Sequence, residues 1–209
     1  MLILMPRSRS ASVDASIAAA TIDLLREVGY ANLTMGEVAS RAKVGKDSLY
    51  RRWSSKAALV HEIVFERYPS GYGGAPATGS LLGDVEALAV MLQEANTTPE
   101  AAAAIPGLLA EVGRDPAFES RLREQFYEPM RAGFAAVLDA AHARGEKTVP
   151  TAPQMVADVL VGTTLFRLSL LRVPADASFP REFAEFVVRA LTPPASSTTT
   201  KKPRRGRYP

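Results

Sequence analysis

"TMGEVASRAKVGKDSLYRRWSSKAALV", residues 34–60, is the stretch on which the fold turns. Thr34 is followed three residues later by Glu37. That spacing is a capping box: the hydroxyl accepts from a free backbone N–H of the first turn, and the carboxylate reaches back to the cap. A short helix is therefore expected from Thr34 to about Ala42. A turn at Lys43–Gly45 leads into a second short helix, from Lys46 to about Trp53. Val38, Ala39, Ala42, Val44 and Leu49 are spaced to pack the two helices against each other, with Ala39 small where they must cross closely. Two short helices joined by a tight turn form the helix-turn-helix arrangement, whose second helix enters the major groove. With Leu49 inward, Lys46, Asp47, Ser48, Tyr50 and Arg51 are left to face outward. An ordinary helical hairpin with one wetted face shares this pattern, so periodicity alone leaves both readings open.

Upstream, Ile17, Ala20, Ile22, Leu24, Leu25 and Val28 form the apolar side of a helix from about Ser12, stopped at Gly29. Downstream, Ser54 or Ser55 can cap a fourth helix that carries Leu59, Val60, Ile63 and Val64 toward Tyr68. The Gly-, Pro- and Ser-rich stretch 70–80 is either a hinge or a long surface loop. Longer helices follow. One spans about 80–96, and a second starts at Thr98-Pro99-Glu100. Pro106 is expected to kink or split that second helix, because an interior proline removes a hydrogen bond. Asp115-Pro116 opens a helix to about Arg144, with a kink expected near Pro129 and a stop at Gly145. Thr151 or Pro153 starts the next, to about Val173, and the last runs from about Ser178 to Leu191. No window alternates like a strand, so the fold class is all-α with about nine helices. The expected division is a basic N-terminal arm (1–10), a helix-turn-helix domain (11–57), a second helical domain (58–192) and a disordered basic tail (193–209).

Hydrophobic residues make up 47% of the 209, enough for a sizeable core, and there is no cysteine. Disulfides and thiolate chemistry are thereby excluded, in keeping with a reducing compartment. The net charge of +3 is unevenly spread: residues 1–60 carry +4, 61–200 carry −6 and 201–209 carry +5. Basic ends around an acidic middle point to a polyanionic partner better than the total does. The opening MLILMPR is too short for a signal-peptide core, and the charge-free run Val159–Phe166 is too short for a membrane span, so a soluble cytoplasmic protein is expected. The only histidines, His61 and His142, belong to no metal-binding pair, and neither a phosphate-binding loop nor a nucleophile elbow is present. No enzyme activity, metal or cofactor is expected.

Residues 12–66 resemble the DNA-binding region of the TetR-type (TetR/AcrR) transcriptional repressors. The resemblance rests on residues 34–60, including the ordered Leu49-Tyr50, the aromatic Trp53 and the Ser55-Lys56 opening the fourth helix. It implies a double-stranded DNA operator as partner. It places Lys46 and Asp47 against bases, where lysine donates to guanine and a carboxylate accepts from cytosine. It places Thr34, Ser48, Tyr50 and Lys56 at the backbone or a base edge, Arg51 and Arg52 at phosphate or in solvent, and Trp53 in packing. Three positions depart from the family's usual residues: Lys43 where glycine is common, Gly45 where a serine usually caps, and Asp47 where a small residue is usual. If position 43 is left-handed, lysine there is strained by roughly 1 kcal/mol.

More loosely, residues 160–171 with 178–191 resemble the family's last two helices. That implies a homodimer through helices at about 153–173 and 178–191, although burial within one subunit fits the same apolar pattern. The middle helices would form an effector domain for a small apolar molecule. Met91, Phe126, Tyr127, Met130, Phe134 and Phe166, with Phe65 beside them, are the candidate contacts, while plain core is the alternative for each. The implied mechanism is a population shift in which ligand favours wrongly spaced DNA-reading heads. A helical scaffold that reads no specific DNA is the competing function.

Overall fold

The computed structural model describes residues 7–65, 75–150 and 153–193, and every regular element in them is helical. The order is α1 (Arg7–Asn32), α2 (Met35–Arg41), α3 (Lys46–Tyr50), α4 (Lys56–Phe65), α5 (Leu81–Thr97), α6 (Pro99–Val112), α7 (Pro116–Leu122), α8 (Glu128–Ala143), α9 (Pro153–Leu165) and α10 (Phe179–Leu191). A π-helical turn at Arg123–Tyr127 joins α7 to α8 without a break, which leaves nine rods among the described residues. A second π-helical turn, Phe166–Leu170, extends α9. The expected end of α4 near Tyr68, residues 70–74 of the Gly-rich stretch, Thr151 and the tail beyond residue 193 lie outside the described residues.

Local chemistry sets the boundaries. α1 starts at Arg7, earlier than expected, and breaks at Gly29, whose φ of 73° and ψ of 170° leave the helical region; one further turn follows to Asn32. α3 is shorter than expected, because the N–H groups of Arg52 and Trp53 both turn back to the Leu49 carbonyl at 3.0 Å. Ser55 rather than Ser54 caps α4, its hydroxyl accepting from the Ala58 N–H at 3.2 Å. α6 is not split by Pro106. The carbonyl its ring deprives of a partner belongs to Ala102, and both residues lie on the exposed face, where water can satisfy the freed oxygen. The irregularity expected near Pro129 takes the form of the π-turn just upstream. Widening that turn relieves the clash between the proline ring and the carbonyl four residues before it.

Two apolar cores result. The first gathers Ile17, Leu25, Val38, Leu49, Leu59 and Val60 from α1–α4, and it also takes in Ala101, Ala104, Ile105 and Leu108 of α6 and Phe118 of α7. The second joins α5, α8, α9 and α10 through Leu88, Leu92, Phe134, Leu160, Phe183 and Val187. Each fully buried Leu, Ile, Val or Phe in these cores contributes about 1.5–3 kcal/mol over its exposed state. The first core does not end at the Gly-rich stretch: α6 packs directly on α1 and α4, and α7 on α4, the helices that flank the helix-turn-helix.

Candidate nucleic-acid interface and effector pocket

The predicted capping box at Thr34 is formed. Its hydroxyl accepts from the Glu37 N–H at 3.2 Å, and the Glu37 carboxylate accepts from the Thr34 N–H at 3.1 Å. α2 then ends in a Schellman turn. The Val44 N–H reaches back to the Ala39 carbonyl at 2.9 Å and the Lys43 N–H to the Ser40 carbonyl at 3.2 Å. This geometry puts the residue just before Val44 in the left-handed region, and Lys43 occupies it at φ 55°. Gly45 caps α3 through its backbone alone.

Leu49 is fully buried and fixes which face of α3 is outward. Lys46, Asp47 and Tyr50 are exposed on that face, Tyr50 by 53%, while Ser48 is half-buried. Arg51 donates weakly to the Ser48 hydroxyl at 3.4 Å. The Lys46 side chain lies over Gly36: a Cβ there would meet Lys46 Cε at 3.1 Å and Nζ at 3.2 Å, with Thr34 Oγ1 at 3.9 Å. Thr34 and the Lys46 ammonium are thus brought to one corner, a place suited to a phosphate or a base edge.

Arg52 and Lys56 are tied back into the protein. Arg52 pairs with Asp14 of α1 and lies 5.8 Å from the Trp53 ring centroid. Trp53 is buried, as packing requires, and its indole N–H has no acceptor. Lys56 donates to the Tyr30 carbonyl at 2.9 Å and sits 4.3 Å from the Tyr30 ring centroid. Its ammonium thereby satisfies the frayed end of α1. The Tyr30 hydroxyl is enclosed without a partner, and its pKa is pushed well up, first by burial and then by Glu111 and Asp115.

A small, partly open apolar cavity of about 80 Å³ lies beside the first core. Its walls are His61 and Phe65 of α4, Asn96 of α5, Ile105, Leu108, Leu109 and Val112 of α6, Phe118 and Leu122 of α7, Phe126 of the π-turn and Leu165 of α9. Of the candidate contacts only Phe126 lines it, together with Phe65. Met130 and Phe134 lie in the second core and Tyr127 packs against it. Met91 is half-buried on α5 and away from this wall, and Phe166 is 52% exposed. The reason is helical phase: Met130, Phe134, Val137 and Ala141 form one stripe, and that stripe faces α5 and α9. The stripe Ile105, Leu108, Leu109 and Val112, at helical spacing, was equally visible as apolar, but which apolar stripe meets the cavity depends on tertiary packing. His61 is buried on the same wall. Burial, then the nearby Arg121 charge, pulls its pKa down to about 4, so the ring is neutral at pH 7.

No helix among the described residues is long and apolar enough to cross a membrane, and no cluster of metal-ligating side chains appears among them. Residues 17–63 match the family described as bacterial regulatory proteins, tetR family, and residues 75–187 match the tetracyclin repressor-like C-terminal domain. An uncharacterized HTH-type transcriptional regulator of Mycobacterium tuberculosis is 33% identical over 154 residues, covering 74% of this chain and 75% of that one. A DNA-binding transcriptional repressor of Mycobacteroides abscessus is 28% identical over 190 residues, covering 90% and 98%. Among solved structures, a TetR family transcription regulator superposes with a TM-score of 0.67 at 25% identity, covering 87% of this chain and all of that one.

Proposed function

Because the chain belongs to the TetR family of bacterial transcriptional regulators, with a DNA-binding helix-turn-helix, we propose that it is a ligand-responsive repressor. Two copies grip a palindromic operator, and a small apolar molecule in the second helical domain releases it. The observation that carries the ligand response is the position of α6. One side of α6 walls the cavity, and the same helix packs on α1, where Gly107 meets the Tyr30 ring. A ligand that widens the cavity would displace α6 and with it the helix that carries the DNA-reading head. Such a molecule would act by preferring the displaced conformer.

The dimer reading rests on exposed apolar side chains along α9 and its π-turn and on α10. Met155, Val159, Phe166 and Leu170 follow one face, and Phe186 stands out from α10 with 62% exposure. A face of this kind on a protein of this size marks an interaction surface. A twofold pairing there would set two recognition helices for successive major grooves, about 34–36 Å apart.

Lys46 and Asp47 are proposed as the base-reading pair, with Thr34, Ser48, Tyr50 and Arg51 around them. Arg52 and Lys56 would reach phosphate only from positions that also hold α1. The test is a mobility-shift assay with the DNA upstream of the chain's own gene. Specific, salt-sensitive binding is expected, weakened roughly tenfold by Lys46→Ala. No preference for that DNA over unrelated sequence would favour a scaffold instead.

A further inference from the structure

One polar group on the cavity wall has no partner in the protein. His61 is only 5% exposed, it lines the cavity, and its Nδ1 is enclosed without a hydrogen bond. The ring stands between Phe65, at 5.5 Å between centroids, and Phe118, at 5.8 Å. Asn96, the other polar side chain on the wall, donates to the Leu92 carbonyl at 2.7 Å. All remaining wall residues are aliphatic or aromatic. Buried nitrogens in folded proteins are normally hydrogen-bonded, so an unpartnered imidazole on an apolar wall is a place where a ligand can supply what the chain does not.

The chemistry of the wall narrows what that ligand is. No carboxylate lines the cavity, so a cationic ligand would be buried unpaired. An anion would have to leave water for hydrocarbon, and the nearby Arg121 is already paired with Glu62. A neutral imidazole has one donor and one acceptor nitrogen, and a hydroxyl can serve either because it both donates and accepts. Resting on the effector-release reading above, we infer that the cavity takes a small, neutral, largely apolar ring compound whose single hydroxyl hydrogen-bonds to His61. The aromatic rings of Phe65, Phe118 and Phe126 suit a flat ring, and the hydroxyl sets its orientation.

Naphthol and naphthalene share one ring system and differ by that hydroxyl. In calorimetric titrations of the full chain near pH 7, naphthol is expected to bind about five- to tenfold more tightly than naphthalene, the worth of one net hydrogen bond. His61→Phe should remove the preference while keeping an apolar wall. Because the chain has only two histidines, the imidazole ¹⁵N resonances of the unaltered protein give a second readout. Naphthol should move the His61 signal and naphthalene should not. Equal binding of the two compounds, binding of neither, or a preference that survives His61→Phe overturns the assignment. If the variant does not fold, the unaltered protein's affinity ratio and ¹⁵N shift decide alone. Release of upstream DNA is followed separately by anisotropy. Naphthol that binds through His61 yet leaves DNA bound keeps the site and removes the effector-release reading; release of DNA with no His61 signal does the reverse.

Discussion

A lysine at φ 55° is an unusual resident of a Schellman turn. The same chain uses the expected residue elsewhere: α8 ends with Gly145 at φ 84°, its N–H on the His142 carbonyl and the Glu146 N–H on Ala141. Lys43 is exposed in the turn between α2 and the proposed recognition helix α3, where a cation is useful and a glycine would carry none. Lys43→Gly is expected to raise stability by about 0.5–1 kcal/mol in thermal denaturation, while weakening operator binding in the same preparation. His61 supplies a pH dependence of known sign. Its pKa is about 4 when folded and near the ordinary 6.5 when unfolded. Above 6.5 both states are neutral and the group contributes nothing. As pH falls from 6.5 toward 4 the unfolded chain takes up a proton that the folded chain refuses, so stability is lost across that window, by up to about 3 kcal/mol. Urea denaturation at pH 7 and pH 4.5 should show the loss in the unaltered protein and a smaller one in His61→Phe.

At the scale of elements, α1 and α6 approach each other more closely than ordinary side chains allow. A Cβ built on Gly107 would lie 2.0 Å from Tyr30 Cδ1. In an isolated helix Gly→Ala is stabilising. Here Gly107→Ala is expected to cost about 1–3 kcal/mol by overpacking, seen as a lowered Tm, and Tyr30→Leu in the same chain should recover part of it. The sequence displays some of this organisation and hides the rest. The capping box at Thr34 and Glu37, the inward Leu49, the break at Gly29 and the Asp115-Pro116 start are local events, each decided within four or five residues, and all can be read from the chain. Pro106 misleads because the consequence of a missing hydrogen bond depends on whether the freed carbonyl faces water or core. The cavity misleads for a related reason. Met130, Phe134 and Leu108 are equally apolar in sequence, and only the rotation of each helix against its neighbours separates core from wall. Lys56 and Arg52 are read as DNA contacts by position; that they also hold α1 could not be read beside them, since their partners Tyr30 and Asp14 lie 26 and 38 residues away.

For the whole molecule, the open question is how two reading heads are held at the right distance. Phe186 is exposed on the outer face of α10, while Phe183, Ala184 and Val187 of the same helix are buried in the second core. Phe186→Glu should therefore leave the subunit folded and disrupt the proposed pairing surface. Sedimentation is expected to show a dimer becoming a monomer, and operator affinity should fall at least tenfold, since one head alone reads half a site. The first core bears on a different matter, the exchange of parts between regulators. Its apolar network runs from Ile17 and Leu59 into Ile105, Leu108 and Phe118, so the reading head has no free-standing interior of its own. A chimera that grafts helices α1–α4 onto another family member's sensing body would inherit a mismatched seam. To give an old sensor a new operator, the facing surface of α6 and the aromatic at position 118 would have to travel with the head as one transplantable unit.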